Sequence, residues 1–224
     1  MKQIVKMLFG AMILGGLAAL AGFGQTATAF EFKNAERNPF GYLLSGELYI
    51  TVGGREVRVT DQAVEAWIVD GGRSVVYSAR DGAGFGDSRG QSLRIYDVAG
   101  GQTLKIMAER AEVNGLSEVR LSDGALALLV RLSDGGSGEP YAAVVDPLRG
   151  QVYRQRSAEF SEIRGDTAKV VHYGKADWDD LFQARVEKDK ANKTAVPMKV
   201  KAKIARTETL DLKKMLKLKV ITVK

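Results

Sequence analysis

Cysteine is missing from all 224 residues, histidine occurs once, and no long apolar run follows Phe23. Without thiols the chain has no disulfide, no thiolate metal site and no lipobox cysteine to acylate, so its stability rests on core packing. A lone His172 builds no histidine-rich metal centre. The absence of disulfides also leans bacterial for any exported chain, since small secreted eukaryotic domains usually carry them.

The N-terminus has the three parts of a secretory leader. Lys2 and Lys6 supply positive charge, Leu8 to Phe23 form an uncharged apolar segment, and Ala27-Thr28-Ala29 offers a small-x-small cleavage pattern. Residues 1–29 are therefore read as a signal helix cut after Ala29, leaving a periplasmic or secreted bacterial protein. The competing reading is an uncleaved anchor, but a span needs about 20 apolar residues and this run is shorter. Export excludes nucleotide-dependent cytosolic enzymes and makes nucleic acid a poor partner.

Charge is divided along the mature chain. From Arg185 onward there are 13 Lys and Arg against 4 Asp and Glu, whereas Phe30 to Ala184 carries 18 basic and 23 acidic residues. The overall net charge of +6 thus conceals an acidic body, residues 30–184, and a basic tail, residues 185–224. The tail's Lys199, Lys201, Lys203, Lys213, Lys214, Lys217 and Lys219 suit peripheral contact with an anionic surface. Two structural readings compete: lysines protecting an edge strand from aggregation, or a tail lying against the acidic body of its own chain.

Within the body, Leu48, Ile50 and Val52 alternate with polar residues, Gly53-Gly54 turns the chain, and Val57 and Val59 resume the alternation. This predicts a β-hairpin. Two longer units then repeat one order. The first has Asp70-Gly71, the apolar Val75-Val76-Tyr77, a Gly-rich loop, Leu93 to Asp97 and Gly101-Gln102; the second has Asp123-Gly124, Leu126 to Val130, a shorter loop, Tyr141 to Asp146 and Gly150-Gln151. The offset is 53 at the first Asp and 49 at the second, so the length difference of four falls in the loop, where insertions are cheap. A partial third copy begins at Gly165-Asp166. A period of about 50 residues with short alternating strands is that of propeller blades.

The stretch Asp70 to Ser78 followed by Leu93 to Asp97 resembles the propeller repeat of TolB-type periplasmic proteins. The likeness covers Trp67 to Tyr153 and extends more weakly to Trp178; Pro140 and Ala142 depart from the polar and basic residues expected there. The resemblance implies an all-β protein of antiparallel propeller-like blades that serves as a binding scaffold. Closed propellers usually have four to eight blades, so a chain this short is expected to be a small ring, or an open one completed by a partner, with a β-sandwich as the alternative. In the tail, Val200 to Ile204 and Leu216 to Val220 alternate as strands, the second following at most a short helix begun at Thr209. The last strand is placed to close a ring against the first hairpin.

No catalytic set, metal or cofactor is expected. The loop Asp81 to Gly90 lacks the third glycine of a dinucleotide motif and is followed by a strand, so phosphate binding is excluded. If it binds anything, Asp81, Phe85, Asp87 and Arg89 form a recognition tip, aromatic and Arg side chains being favoured anchors. Neither Ser45 nor Ser137 sits in a nucleophile-elbow frame to pair with His172. Asp177 and Asp180 beside Trp178 are the candidates for a rival, glycan-hydrolysing reading, although such carboxylates normally come from separate strands. Trp67, Tyr77, Tyr96, Tyr141 and Tyr153 are read as packing residues. The expected role is a non-enzymatic binding protein whose partner is another envelope or secreted protein, with a homodimer as an alternative.

Overall fold

Gly53 and Gly54 turn the chain where the alternation predicts, both with positive φ, 56° and 77°. A two-residue hairpin of this twist needs that conformation at both positions, and glycine supplies it without strain. A computed structural model of the protein describes residues 25–37, 43–80, 91–109, 111–133, 138–174 and 203–218. They form fourteen strands and one short helix in four antiparallel sheets.

The first sheet holds β1 (Ala27–Arg37), β2 (Leu43–Val52) and β3 (Arg55–Ala63). The second holds β4 (Glu65–Val69), β5 (Ser74–Arg80), β6 (Gln91–Asp97) and β7 (Gln102–Glu109). The third repeats it with β8 (Glu112–Arg120), β9 (Leu126–Ser133), β10 (Pro140–Asp146) and β11 (Gly150–Arg156). The fourth holds β12 (Ala158–Arg164), β13 (Thr167–Tyr173) and β14 (Ile204–Asp211), followed by α1 (Leu212–Leu216). The two full sheets are the two sequence units. Ten residues separate β5 from β6 and six separate β9 from β10, the difference of four that the offsets require.

Single connections reveal the phase of the repeat. Val64 alone joins β3 to β4, residues 110–111 join β7 to β8, and Ser157 alone joins β11 to β12. β3 therefore occupies the place of a fourth strand, so the first sheet contains positions two to four and the fourth sheet positions one to three. Among the described residues both end sheets are incomplete blades.

Three apolar cores link the sheets in series. Leu48 and Ile50 pack with Val75 and Tyr77 between sheets one and two. Val76 and Leu93 meet Leu128 and Val130 between two and three, and Leu129 and Val144 meet Val170 and Leu210 between three and four. Among the described residues no core joins sheet four to sheet one. The outward face of the first sheet is charged: Lys33 pairs with Glu31 at 3.0 Å and Glu56 at 2.8 Å and lies 4.6 Å over the Tyr49 ring, and Arg58 meets Glu47 at 3.2 Å. On the fourth sheet Tyr173 donates to Glu159 at 2.6 Å. Polar outer faces are how a stacked array ends without aggregating.

Several expectations are corrected. Four sheets in series replace the sandwich alternative. The described part of the tail pairs within the fourth sheet, β14 with β13, Val171 facing Thr207 and Ala168 facing Leu210; among the described residues no strand of the tail pairs with the first hairpin, and Lys219 and Val220 lie outside them. From Ile204 to Leu218 the tail is thus part of the body. The strand expected at Leu216 to Val220 gives way at its start to α1, since the Asp211 side chain accepts from the Lys214 backbone N–H at 3.1 Å and caps a helix. Among the described residues the first strand begins at Ala27, well before Gly46, where the sequence pattern opens the body.

Candidate functional site

The array has two rims of opposite character. Gly72, in the β4–β5 turn, lies against Ala27 at the start of β1; a Cβ there would fall 2.5 Å from the Ala27 carbonyl oxygen. Asp70 in that turn binds Arg120 at the end of β8 and Arg73 at 2.6 Å, and its backbone N–H donates to Glu118 at 2.8 Å. Beyond Arg120, Ser122 donates its backbone N–H and hydroxyl to Asp166 in the β12–β13 turn, at 2.7 and 2.6 Å. Lys213 of α1 reaches Asp166 at 2.9 Å, and Arg149 in the β10–β11 turn bonds the carbonyl of Leu218 at 2.9 Å. These tethers join every sheet along one rim, whose turns have at most five residues.

Because strands alternate, the other rim receives every connection between second and third strands. These are residues 38–42, 81–90, 134–139 and 174–203, of five, ten, six and thirty residues. Short bonds hold their roots. Val113 N–H donates to the buried Gln91 at 3.0 Å, Asn114 donates to Ser133 at 2.6 Å, and Gly174 N–H donates to the Lys203 carbonyl at 2.9 Å. Glu139, itself buried, accepts from Arg156 at 2.7 Å and from the Ser157 hydroxyl at 2.6 Å, while Arg154 and Arg156 lie 5.5 and 5.0 Å from the Tyr141 ring centre. A long insertion on a rigid root is the usual place for recognition in a repeat fold.

A shallow cleft of about 240 Å³ lies between sheets three and four. Leu129, Phe160 and Ile163 give it an apolar floor, and Ser117, Arg131, Ser161 and Glu162 its polar edge. Enclosed small-molecule sites run from about 300 to 1,000 Å³, so this cleft suits a single side chain better than a whole metabolite.

The expected recognition residues Asp81, Phe85, Asp87 and Arg89 lie outside the described residues, as do Asp177, Trp178, Asp180, Lys199, Lys201 and Lys219. The roots flanking the first loop, Arg80 and Gln91, place its ends on the loop rim. Lys203 stands on the same rim, whereas Lys213, Lys214 and Lys217 belong to the turn rim with α1. Lys213 spends its charge on Asp166, as a tail lying on its own body would; Lys214 stands 3.7 Å from Asp211, and Lys217 is exposed. His172 is buried in β13 with Nε2 2.9 Å from a Glu208 carboxylate oxygen on β14. The neighbouring Tyr153 hydroxyl is buried without a hydrogen bond, and desolvation, reinforced by Glu208, pushes its pKa up to about 12. This is a cross-strand pair beside a core tyrosine. Tyr77, Tyr96 and Tyr141 are buried and Trp67 and Tyr153 partly so, as packing residues should be. The rim tethers were invisible in the sequence, because pairs such as Asp70 with Arg120 stand 50 residues apart; only the recurrence of Asp70, Asp123 and Asp166 in equivalent turns hinted at them.

Asp166 provides a pH test. Hydrogen bonds from Ser122 and the Lys213 ammonium hold its carboxyl down to about 2, from an ordinary value of 3.8. A depressed folded pKa contributes stability that is complete above the unfolded value and drains as pH falls through about 2. Urea midpoints of the wild type should therefore drop between pH 4.5 and 2 more steeply than those of Asp166→Asn. Equal slopes would show the Ser122–Asp166–Lys213 link to be unformed.

No family model and no curated protein matches the chain. Three solved structures align with part of the chain. The β-propeller domain of the Trilobed protease from Pyrococcus furiosus, described as having an open velcro topology, aligns at TM-score 0.45 and 10% identity over 67% of this chain and 51% of its own. TolB from Acinetobacter baumannii aligns at 0.38 and 16% identity over 64% and 35%, and a GH43 β-1,3-galactosidase at 0.32 and 11% over 66% and 37%. The chain thus spans about half, or less, of each. The propeller-like architecture stands on the strand order and connections described above, on which the TolB-type resemblance of Trp67 to Tyr153 falls as two blades.

Proposed function

We propose that the protein is an exported, non-enzymatic scaffold that binds another envelope or secreted protein through its loop rim. The observation that carries this reading is the segregation of connections: all four joins between second and third strands emerge together, while the opposite rim is made of tight turns locked by ion pairs. The bonds at Gln91, Glu139 and Gly174 hold the loop roots fixed, which lowers the ordering cost of binding. The cleft at Arg131 and Phe160 is sized for an anchoring side chain of a protein partner.

The cysteine-free chain allows a direct test with a photo-crosslinker on single thiols. Lys203→Cys puts the probe on the loop rim; Leu148→Cys puts it on the turn rim, at a side chain 86% exposed. In envelope extracts Lys203→Cys should yield discrete protein adducts that Leu148→Cys does not. Equal labelling at both, or adducts only at Leu148→Cys, would place the partner elsewhere.

A further inference from the structure

β14 stands in the third place of its sheet, as β6 and β10 do in theirs, but it is not enclosed as they are. Six of the seven residues of β10 and four of the seven of β6 are buried, against one of eight, Leu210, in β14. β6 and β10 each have a fourth strand on their far side, β7 and β11, whereas among the described residues β14 pairs only with β13. Every second N–H and C=O of β14 therefore points away from β13 along an open edge. Close to Glu208 and Arg206 of β14, the Tyr153 hydroxyl of β11 is buried and has no hydrogen bond among the described residues. A buried polar atom without a partner is rare in a folded protein.

The chain that follows β14 is led to this edge. The Leu212 N–H donates to the Asp166 carbonyl at 2.9 Å, which keeps α1 on the turn rim, and Arg149 bonds the carbonyl of Leu216 and, at 2.9 Å, that of Leu218. Arg149 immediately precedes Gly150, the first residue of β11. Residues 212–218 thus take the position of the turns that join third strand to fourth in sheets two and three, residues 98–101 and 147–149, and they leave off beside the start of a fourth strand. The approach to β14 is held on its other flank, where the Gly174 N–H donates to the Lys203 carbonyl at 2.9 Å. In sequence, Lys219 to Lys224 holds Val220, Ile221, Thr222 and Val223 in a row, a strand-favouring composition, and its six residues reach about 20 Å at about 3.3 Å each. We propose that the open edge of β14 is a docking site for residues 219–224, which run antiparallel to it from the turn rim and complete the fourth blade. Main-chain hydrogen bonds supply the attachment, and the edge is thereby closed to other chains.

Residue-resolved hydrogen exchange of the full chain tests this. The outward amides of β14 should be protected in the wild type and lose that protection when residues 219–224 are deleted, while the amides bonded to β13 keep theirs. Ile221→Pro, which removes one N–H without shortening the chain, should have the same effect. Outward amides that exchange freely in the wild type, or that stay protected in both variants, overturn the inference. A second measurement identifies the occupant: in this cysteine-free chain Thr207→Cys is combined in turn with Val220→Cys, Ile221→Cys, Thr222→Cys or Val223→Cys. One of the four pairs should oxidise within a single chain, read by mass under non-reducing conditions. No bond, or bonds only between two chains, as a second copy seated on the edge would give, contradicts it. Neither readout depends on the loop rim binding a partner.

Discussion

A chain ended after Ala184 is expected to lose cooperative folding of its fourth sheet, because the discarded tail contains β14 and α1. Leu210 and Leu212 are 1% and 0% exposed in the core between sheets three and four, and Met215 and Leu216 pack against them. Emptying a buried leucine site costs about 2–5 kcal/mol, so losing both removes roughly 4 kcal/mol or more from a total that is typically 5–15. β13 would also become an open edge with Val170 uncovered. Leu212→Ala alone should cost about 2–5 kcal/mol, read from urea midpoints, and the truncated chain should show early hydrogen exchange throughout β12 and β13. A truncated chain with the full-length midpoint would return the tail to the role of a detachable basic arm.

Gly72→Ala is expected to destabilise by about 2–4 kcal/mol, although it adds one methyl at a turn. Alanine pays about 1–2 kcal/mol for a left-handed conformation, and its Cβ would stand 2.5 Å from the Ala27 oxygen and 2.9 Å from the Thr26 Cβ. Ala27 begins β1 and Thr26 leads into it, so the start of the strand must move. Gly54→Ala is the control: φ is 77° but nothing lies within 4 Å, so it carries the backbone strain alone. The difference between the two measures how firmly residues 26–27 are seated. Equal costs would mean that β1 does not begin against the turn.

Much of this architecture was legible in the sequence, for identifiable reasons. Gly53-Gly54 between alternating runs specified a hairpin because few other dipeptides adopt its twist. The offsets of 53 and 49 located the variable loop because strand register resists insertion. The ends of the array were harder. β14 escaped notice because Ile204 to Thr207 are exposed and only Leu210 is fully buried, which leaves no hydrophobic alternation to read. The clear lysine-rich alternations stand on either side of it. The first three residues of β1 coincide with the leader pattern, because small residues serve a peptidase and a close-packed strand equally well, and the short alternation Phe30-Glu31-Phe32-Lys33 that follows is too brief to mark the strand by itself. At the site, loop lengths were visible but their convergence on one rim was not, since it depends on β3 standing in the fourth-strand position.

That convergence, and the lack of a join between sheets four and one among the described residues, depend on β14 completing its own sheet and not reaching the first hairpin. Paired thiols in this cysteine-free chain test it directly, because facing residues on antiparallel strands stand about 4.5–5.5 Å apart at Cα, within disulfide range. Val171→Cys with Thr207→Cys should oxidise to an intramolecular disulfide detectable by mass. Failure of that pair, together with a bond formed by Thr207→Cys and Glu56→Cys on β3, would contradict the account.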